Sequence, residues 1–318
     1  MFLIRVALVL LAGLHAMAPA QLRAQEWPTK PVRIVVPFSP GGSSDQLARL
    51  LAPDLSATFG QQFYIENRGG SSGSIGAGLV AKAAPDGYTL INAGSGPHLT
   101  GPAINPNIGY DPLKDFSHIA MVAGDSFVLV ANPALGAKSI KDLQRLSINL
   151  TSSSPGAGSL GHLILERFKR SANLTIQHVP APNSGMQDVL GNHINLTMTT
   201  LLTAGLQIRA GLLVPLAVTS PSRHPTYPEI PTFAEQGFPD VRGETWFWLA
   251  GPAGLQPFIV QQLNQETRRI VKSAKMQEHF NKLSLLTKDL DAAGVTKFVV
   301  DEFAYWAPLA KEIGLRVQ

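Results

Sequence analysis

The chain predicts an α/β protein of two lobes, each built on a parallel sheet and joined to the other by a double crossover. Three observations carry this. Strand-like and helix-like segments alternate along most of the sequence. Three glycine- and serine-rich turns each follow a strand and open a helix. A compact second series of such units, about 95 residues long, interrupts a first series that the C-terminal part returns to complete.

The N-terminal segment comes first. Arg5, an apolar run from Val6 to Ala20, and the small residues Ala18 and Ala20 before Gln21 have the parts of a secretory signal peptide. The run is shorter than the roughly 20 residues a spanning helix needs. Export is therefore expected, with cleavage near Ala20–Gln25, and an uncleaved anchor is the alternative. Roughly 295 residues remain, enough for two domains at about 100–200 residues each.

The mature chain opens on a β-rich run, Val32 to Pro37. A helix follows from Ser44 to about Thr58, with Leu47, Leu50, Leu51 and Leu55 on one face. Gln62–Glu66 is the next strand, Ile75–Ala84 a helix ended by Pro85-Asp86-Gly87, and Tyr88–Ala93 a third strand. From about Phe116 the chain makes another strand, Ile119–Ala123, which continues into Phe127–Ala131. The second series then runs helix 139–146, strand 147–151, helix 159–172, strand 174–179, helix 186–193, strand 194–199, helix 204–210 and strand 213–218. A proline-rich stretch, Pro221 to Pro239, leads to an aromatic strand, Glu244–Ala250, and two long helices, 256–272 and 296–312. The expected division is a signal segment 1–25, a discontinuous first lobe 26–123 and 221–318, and an inserted second lobe 124–220. Two such lobes on a double hinge enclose a cleft at the C-terminal ends of their strands.

Composition excludes several classes of function. The 318 residues include no cysteine, which removes disulfides, thiolate metal sites and cysteine nucleophiles. Hydrophobic residues make up 45%, enough for well-filled cores. The formal net charge is +4, but lysines and arginines are scattered. The densest group, Arg268, Arg269, Lys272 and Lys275, shares a predicted helix region with Glu266 and Glu278 and reads as a solvated face. No nucleic-acid partner is expected. The eight histidines show no metal-ligand spacing, so neither metal nor cofactor is expected.

All three turns lie at the cleft. The first runs from Phe38 to Asp45, the second from Asn67 to Gly76, and the third from Ser152 to Ser159. Such turns present backbone N–H groups and hydroxyls to whatever lies before the helix, which is an anion site made without charged side chains. In the first turn, Phe38 is either an apolar cleft wall or simply core, Gly42 lets the backbone approach, and Ser39 and Ser43 offer hydroxyls. Asp45 either meets an amine on the ligand or caps the helix. Ser71, Ser72 and Gly73 are donors in the second turn, and Ser154, Gly156, Gly158 and Ser159 in the third. Ser95 stands in the loop Gly94–His98 that also reaches toward the cleft.

Two of these turns match catalytic or cofactor patterns. Gly69-Gly70-Ser71-Ser72-Gly73 fits the nucleophile elbow of hydrolases, with Asp188 and His193 downstream in the order a triad needs. Those two residues fall in the other lobe, and the pentapeptide arises easily in a Gly/Ser-rich chain. Gly156-Ala157-Gly158-Ser159-Leu160-Gly161 fits a dinucleotide fingerprint, but Gln177-His178-Val179 brings no acid for the ribose. The same backbone serves a carboxylate equally well.

Together these segments resemble the substrate-binding proteins of tripartite tricarboxylate transporters, the Bug receptors. The resemblance rests on Trp27 to Phe38, Pro40-Gly41-Gly42 with Asp45 and Arg49, Glu66-Asn67-Arg68-Gly69-Gly70, and Pro85 to Leu90. Gly156 to Leu163, Leu216 to Ser220 with Arg223, Pro231-Thr232 with Glu235 and Gly237, Trp246, Pro252-Ala253-Gly254 and Gly314 complete it. It covers nearly the whole mature chain, and the order and spacing of the pieces make it specific. It implies a type II periplasmic binding protein-like fold and a monomer that holds a small organic acid in its cleft through loop amides, hydroxyls and water. It also implies delivery of that acid to membrane transporter subunits.

The chain departs from the family pattern in the second lobe. Where the family carries Tyr, then Lys or Arg, then Gly after Val179-Pro180, this chain has Ala181-Pro182-Asn183-Ser184. Where the family commonly has an acidic residue, it has Thr199-Thr200. Asn183 and Thr199 join the candidate ligand contacts, and the departures point either to a different acid or to weakened binding. The expected function is an extracytoplasmic receptor, not an enzyme. A periplasmic hydrolase acting through Ser71 and a ligand-presenting subunit for a membrane sensor are the alternatives.

Overall fold

A computed structural model describes residues 27–105 and 107–313, the side chains of residues 182, 183 and 313 excepted. The expected signal segment and Gly314 lie outside the described residues. The first series folds as β1 (Val32–Val36), α1 (Ser43–Phe59), β2 (Phe63–Asn67), α2 (Ser74–Ala81) and β3 (Thr89–Gly94). Leu47, Leu51 and Leu55 recur at i, i+4 and i+8 on α1, and all three are buried against Ile34, Phe63 and Leu90 of the sheet. A short helix, α3 (Gly101–Ile104), follows in the loop beyond β3.

The strand expected from about Phe116 through Ala131 is β4 (Phe116–Ala131), of 16 residues. Gly124-Asp125-Ser126 looks like a break in the apolar run. It stays extended because β9 (Glu244–Pro252) pairs antiparallel alongside it, with Asp125 opposite Thr245. From Phe127 onward β4 changes partners and pairs with the strands of the second series.

That series contains α4 (Ile140–Arg145), β5 (Leu150–Ser153), α5 (Leu160–Ala172), β6 (Ile176–His178), α6 (Met186–Leu190), β7 (Leu196–Thr200), α7 (Leu201–Arg209) and β8 (Val214–Val218). The strand order is β2-β1-β3-β9-β4-β7-β5-β6, with β8 on the other side of β4. Two sheets thus share one strand, and each belongs to one lobe of a two-lobed α/β fold of the type II binding-protein kind. The parallel pairing expected from the strand–helix alternation holds among β2, β1 and β3 and among β6, β5 and β7. The strands nearest the joint, β9 and β4, run antiparallel to their neighbours, because the chain re-enters the first sheet from the second lobe.

The proline-rich stretch stays beside β8. Val218 donates to the carbonyl of Pro231 (2.9 Å) and Phe233 donates to that of Val218 (3.0 Å). Gly243 then meets Thr219 just before β9, where the Thr219 hydroxyl donates to its carbonyl at 2.6 Å.

After β9 come α8 (Pro257–Lys272), α9 (Ala274–Leu283) and α10 (Ala292–Ile313). The sequence reading passed over α9, although its signals were present. Ser273 caps it by accepting from Met276 N–H, and Met276 and Phe280 are buried one turn apart. Trp306 of α10 belongs to the same hydrophobic cluster as Ile164 and Phe168 of α5. A methyl group on Gly243 would stand 2.9 Å from both the Ile164 and Trp306 side chains, so a close contact there joins the lobes at the back.

Phe168 is fully buried and lies edge-on to Phe233, with ring centroids 5.3 Å apart. Phe168→Ala should lower the unfolding free energy by about 3–5 kcal/mol, the usual range for emptying a buried aromatic site. A urea titration reads this as a lower midpoint, and a loss below about 1 kcal/mol would show that the second-lobe core does not rest on this ring.

Candidate functional site

Between the lobes lies a cavity of about 430 Å³. Phe38, Phe127 and Phe247 give it apolar walls, and hydroxyls from serines and threonines of both lobes complete it. Among the described residues that line it, no side chain carries a charge. Whatever polarity it offers a ligand comes from hydroxyls and backbone dipoles.

The first turn brings Phe38, Ser39, Gly42, Ser43 and Ser44 to the cavity. Gly42 is the N-cap of α1, and no side chain caps that helix. Its first-turn amides are therefore available, at the positive end of a 17-residue helix. Asp45 does not line the cavity. Its carboxylate accepts from Gly41 N–H (2.9 Å), Asn67 Nδ2 (2.9 Å) and Arg49 Nε (3.0 Å), stapling the first turn to the second. Burial opposes its ionisation, but the Arg49, Gly41 and Asn67 hydrogen bonds outweigh burial and hold the carboxyl below the ordinary Asp value.

The second turn presents Gly70, Ser71, Ser72 and Gly73. All four have positive φ, at 119°, 50°, 54° and 93°. The run closes on itself as a tight turn, with Gly73 N–H donating to the Gly70 carbonyl (2.9 Å) and Ser74 N–H donating to the Ser71 carbonyl. Gly73 N-caps α2, again with no side-chain cap. The strain of two left-handed serines persists because the turn is fixed on every side. Asn67 Nδ2 holds the Phe38 carbonyl (3.1 Å), and Gly76 packs so closely that a methyl group would stand 2.7 Å from the Arg68 carbonyl oxygen.

The third turn closes the cavity from the second lobe. Gly156 and Ser159 line it with Pro155, Ala157, Leu160 and Gly161. Ser159 caps α5 by accepting from His162 N–H (3.2 Å). Ser154 and Gly158 sit behind the lining. The Ser154 hydroxyl donates to the Gly156 carbonyl and meets His178 Nε2 (2.9 Å), while Gly158 N–H donates to His162 Nδ1 (3.0 Å). The two imidazoles stack at 3.7 Å, and burial pushes His178 down to about 4, so at neutral pH it braces the turn without charge. Across the mouth the Ser72 hydroxyl donates to the Ala157 carbonyl, and Ile104 lies against Gly158. The two jaws therefore touch.

The second-lobe wall, where the family pattern is absent, is knitted by hydroxyls. Pro180, Ala181 and Ser184 face the cavity, as do Thr199, Thr200 and Thr203. The Ser184 carbonyl accepts from Ser153 (2.5 Å) and Thr197 (2.8 Å), and Thr199 donates to the Ser184 hydroxyl (3.0 Å). Thr200 caps α7 by accepting from Thr203 N–H and lies 2.8 Å from the Ser43 hydroxyl of the first lobe. Beneath that contact is Asp125, fully buried on β4. It accepts from the Ser43 hydroxyl (3.0 Å) and Leu202 N–H (3.3 Å). Burial pushes its carboxyl up to about 7, against the hydrogen bonds from Thr200, Ser43 and the Leu202 and Leu201 amides.

Of the candidates read from the sequence, the structure brings Phe38, Ser39, Gly42, Ser43, Ser71, Ser72, Gly73, Ser95, Gly156, Ser159 and Thr199 to one cavity. Asp45, Ser154 and Gly158 stand behind it, and the Asn183 side chain lies outside the described part. Asp188 belongs to α6 and His193 follows it, whereas Ser71 is in the opposite lobe. Trp246 and Trp248 are buried in the core, and their strand neighbours Thr245 and Phe247 reach the cavity instead. Sequence reasoning missed Asp125, Phe127, Ser184, Thr203, Thr245 and Phe247. For Asp125 a signal existed: an acid in the middle of an otherwise apolar run is costly to bury and asks for a reason.

A sequence model described as the tripartite tricarboxylate transporter family receptor matches residues 47–315. Protein BugT of Bordetella pertussis is 32% identical over 310 residues, covering 94% of each chain. Among solved structures, Rpa4515 of R. palustris with adipate is 34% identical at a TM-score of 0.86, covering 91% of this chain and 99% of that one. MatC (Rpa3494) of Rhodopseudomonas palustris with bound malate is 26% identical at a TM-score of 0.83, covering 89% of this chain and all of that one.

Asp45→Asn should destabilise the protein at neutral pH by about 1–3 kcal/mol, because it replaces one of the two acceptor oxygens that serve Gly41, Asn67 and Arg49 by a donor and removes the charge that pairs with Arg49. The depressed carboxyl contributes stability above the ordinary Asp value of 3.8 and loses it as pH falls through the lower folded-state value. Urea unfolding at pH 7 and pH 3 should show the gap between parent and variant narrowing in acid. A gap that stays constant would contradict this role for Asp45.

Proposed function

The chain belongs to the tripartite tricarboxylate transporter receptor family, and from that premise we propose that it captures a small carboxylate in the cleft and delivers it to a membrane transporter. The observation that carries the reading is the N-terminus of α1, which no side chain caps, meeting the second turn and the hydroxyls of both lobes at one cavity. An anion bound there would cap α1. The adipate and malate held by the two relatives are short acids of a size that suits such a cavity. In this chain the apolar body of the acid would lie against Phe38, Phe127 and Phe247.

The lobes would close about the place where three chain passages meet. Phe127 N–H donates to the Thr219 hydroxyl (3.1 Å), Thr219 N–H donates to the Phe127 carbonyl (3.0 Å), and the Thr219 hydroxyl donates to the Gly243 carbonyl. On this reading the first lobe comprises the residues up to about 123 and those returning into β9, with the residues between them in the second. An acid touching the first two turns and the third would favour the closed arrangement. Residues 1–25 would direct export to the periplasm, where the ligand is met.

Calorimetry or thermal shift against a panel of mono-, di- and tricarboxylates should show at least one saturable ligand, with a rise in Tm. No response to any member would sink the reading. The hydrolase alternative makes a different demand: turnover of an activated ester that disappears in Ser71→Ala. The capture reading expects no such turnover in either protein.

A further inference from the structure

Asp125 is buried at the joint and takes no part in the capture scheme above, yet it touches both lobes. Its Oδ2 accepts from the hydroxyl of Ser43, at the start of α1, and its Oδ1 from the amide of Leu202, on α7. Ser43 and Thr200 in turn line the cavity, so a single layer of hydroxyls separates this carboxyl from a bound ligand. We propose that capture of an anion in the cleft is coupled to uptake of one proton by Asp125, which positions the hydroxyls of Ser43 and Thr200. This rests on the carboxylate-capture reading.

The geometry gives the coupling two sources. An ionised Asp125 is an acceptor only, so the hydroxyl hydrogens of Ser43 and Thr200 are drawn toward it and away from the cavity. A protonated Asp125 donates to Ser43 Oγ, and the hydroxyl hydrogens turn toward the ligand. The ionised carboxylate also repels a ligand carboxylate through a water-excluded layer, where screening is weak. Both effects favour the neutral form in the complex. The proton comes from solvent and remains on the carboxyl while the ligand is bound, and no other bond changes.

The charged and titratable neighbours leave this role to Asp125. On α1, Asp45 is committed to Arg49, Gly41 and Asn67. On β9, Glu244 adjoins Thr245, and burial raises its carboxyl. On α7, the Arg209 guanidinium lies 5.4 Å from the ring centroid of Tyr227, whose own titration is raised by burial and, in smaller part, by the charge of Asp125. Beyond α9, Lys288 sits 4.2 Å over the Trp246 ring. The groups that hold Asp125 are hydroxyls and amides, with its carboxyl poised at about 7 in the ligand-free protein.

The sign follows from linkage. An anion raises the Asp125 value further, so affinity is highest below the free-protein value and falls as pH rises through it, by up to about tenfold per pH unit. The experiment is isothermal titration calorimetry with adipate, or with the acid of the panel that binds most tightly. It is run from pH 6 to 8.5, where the ligand stays ionised, in two buffers of different ionisation enthalpy. The parent should take up as much as one proton per acid bound near pH 7–8, with Kd rising over the same range. Asp125→Asn should bind with no proton uptake and a flat pH profile. Binding by the parent with no proton uptake and a flat Kd overturns this proposal alone. Absence of binding by every acid at every pH overturns the capture reading and this proposal with it. The parent measurement can overturn the proposal even if the variant fails to fold.

Discussion

Strand β4 belongs to both sheets, and its change of partners at Ser126–Phe127 fixes how the two lobes meet. Before that point its hydrogen bonds go to β9, and after it to β7 and β8. A continuous strand cannot bend sharply without losing ladder bonds, so the cleft has a defined floor. The residues on that floor inherit its position: Asp125 beneath the Ser43–Thr200 contact, Phe127 as an apolar wall, and Thr245 and Phe247 on the paired strand. Gly243 and Thr219 clamp the return passage against the same point. The core runs continuously from one lobe to the other through Trp306, Ile164 and Phe168.

On that frame the proposed anion site has no cation among its described lining residues. No side chain caps α1 or α2 where a ligand would sit, whereas the helices opposite, α5 and α7, are capped by Ser159 and Thr200. The ionisable residues near the turns serve the scaffold. Arg49 and Asp45 staple the first turn to the second, and His162 with His178 braces the third. Fixed amides and hydroxyls favour an anion of a particular shape, because their dipoles are set before the ligand arrives and are effective only at short range. A lysine or arginine would attract many anions from a distance, and the wall at Ala181–Ser184 has neither.

Much of this was legible in the sequence, and the reasons are local. The turns announce themselves through glycine, serine and the strand–helix context, and they converge because each ends a strand pointing at the cleft. The apolar face of α1 and the boundaries of most strands follow from periodicity. What stayed hidden depends on partners distant in the chain. The strand through Gly124-Asp125-Ser126 follows from the sequence, but its partner β9, over a hundred residues away, does not. Asp45 carries the composition of a ligand contact or a cap, and only the position of Asn67 and Arg49 shows that it holds two turns together. Thr245 and Phe247 were obscured by the tryptophans beside them, since alternation says that neighbours face opposite sides but not which side is the cleft.

The most direct test of an acid held by backbone and hydroxyls is a crystal structure of the protein with its tightest-binding carboxylate. The carboxylate oxygens should lie within hydrogen-bond distance of amides or hydroxyls at the first or second turn, with the second-lobe wall closing over the other end. A carboxylate held by a lysine or arginine side chain, or bound outside the cleft, would contradict the account.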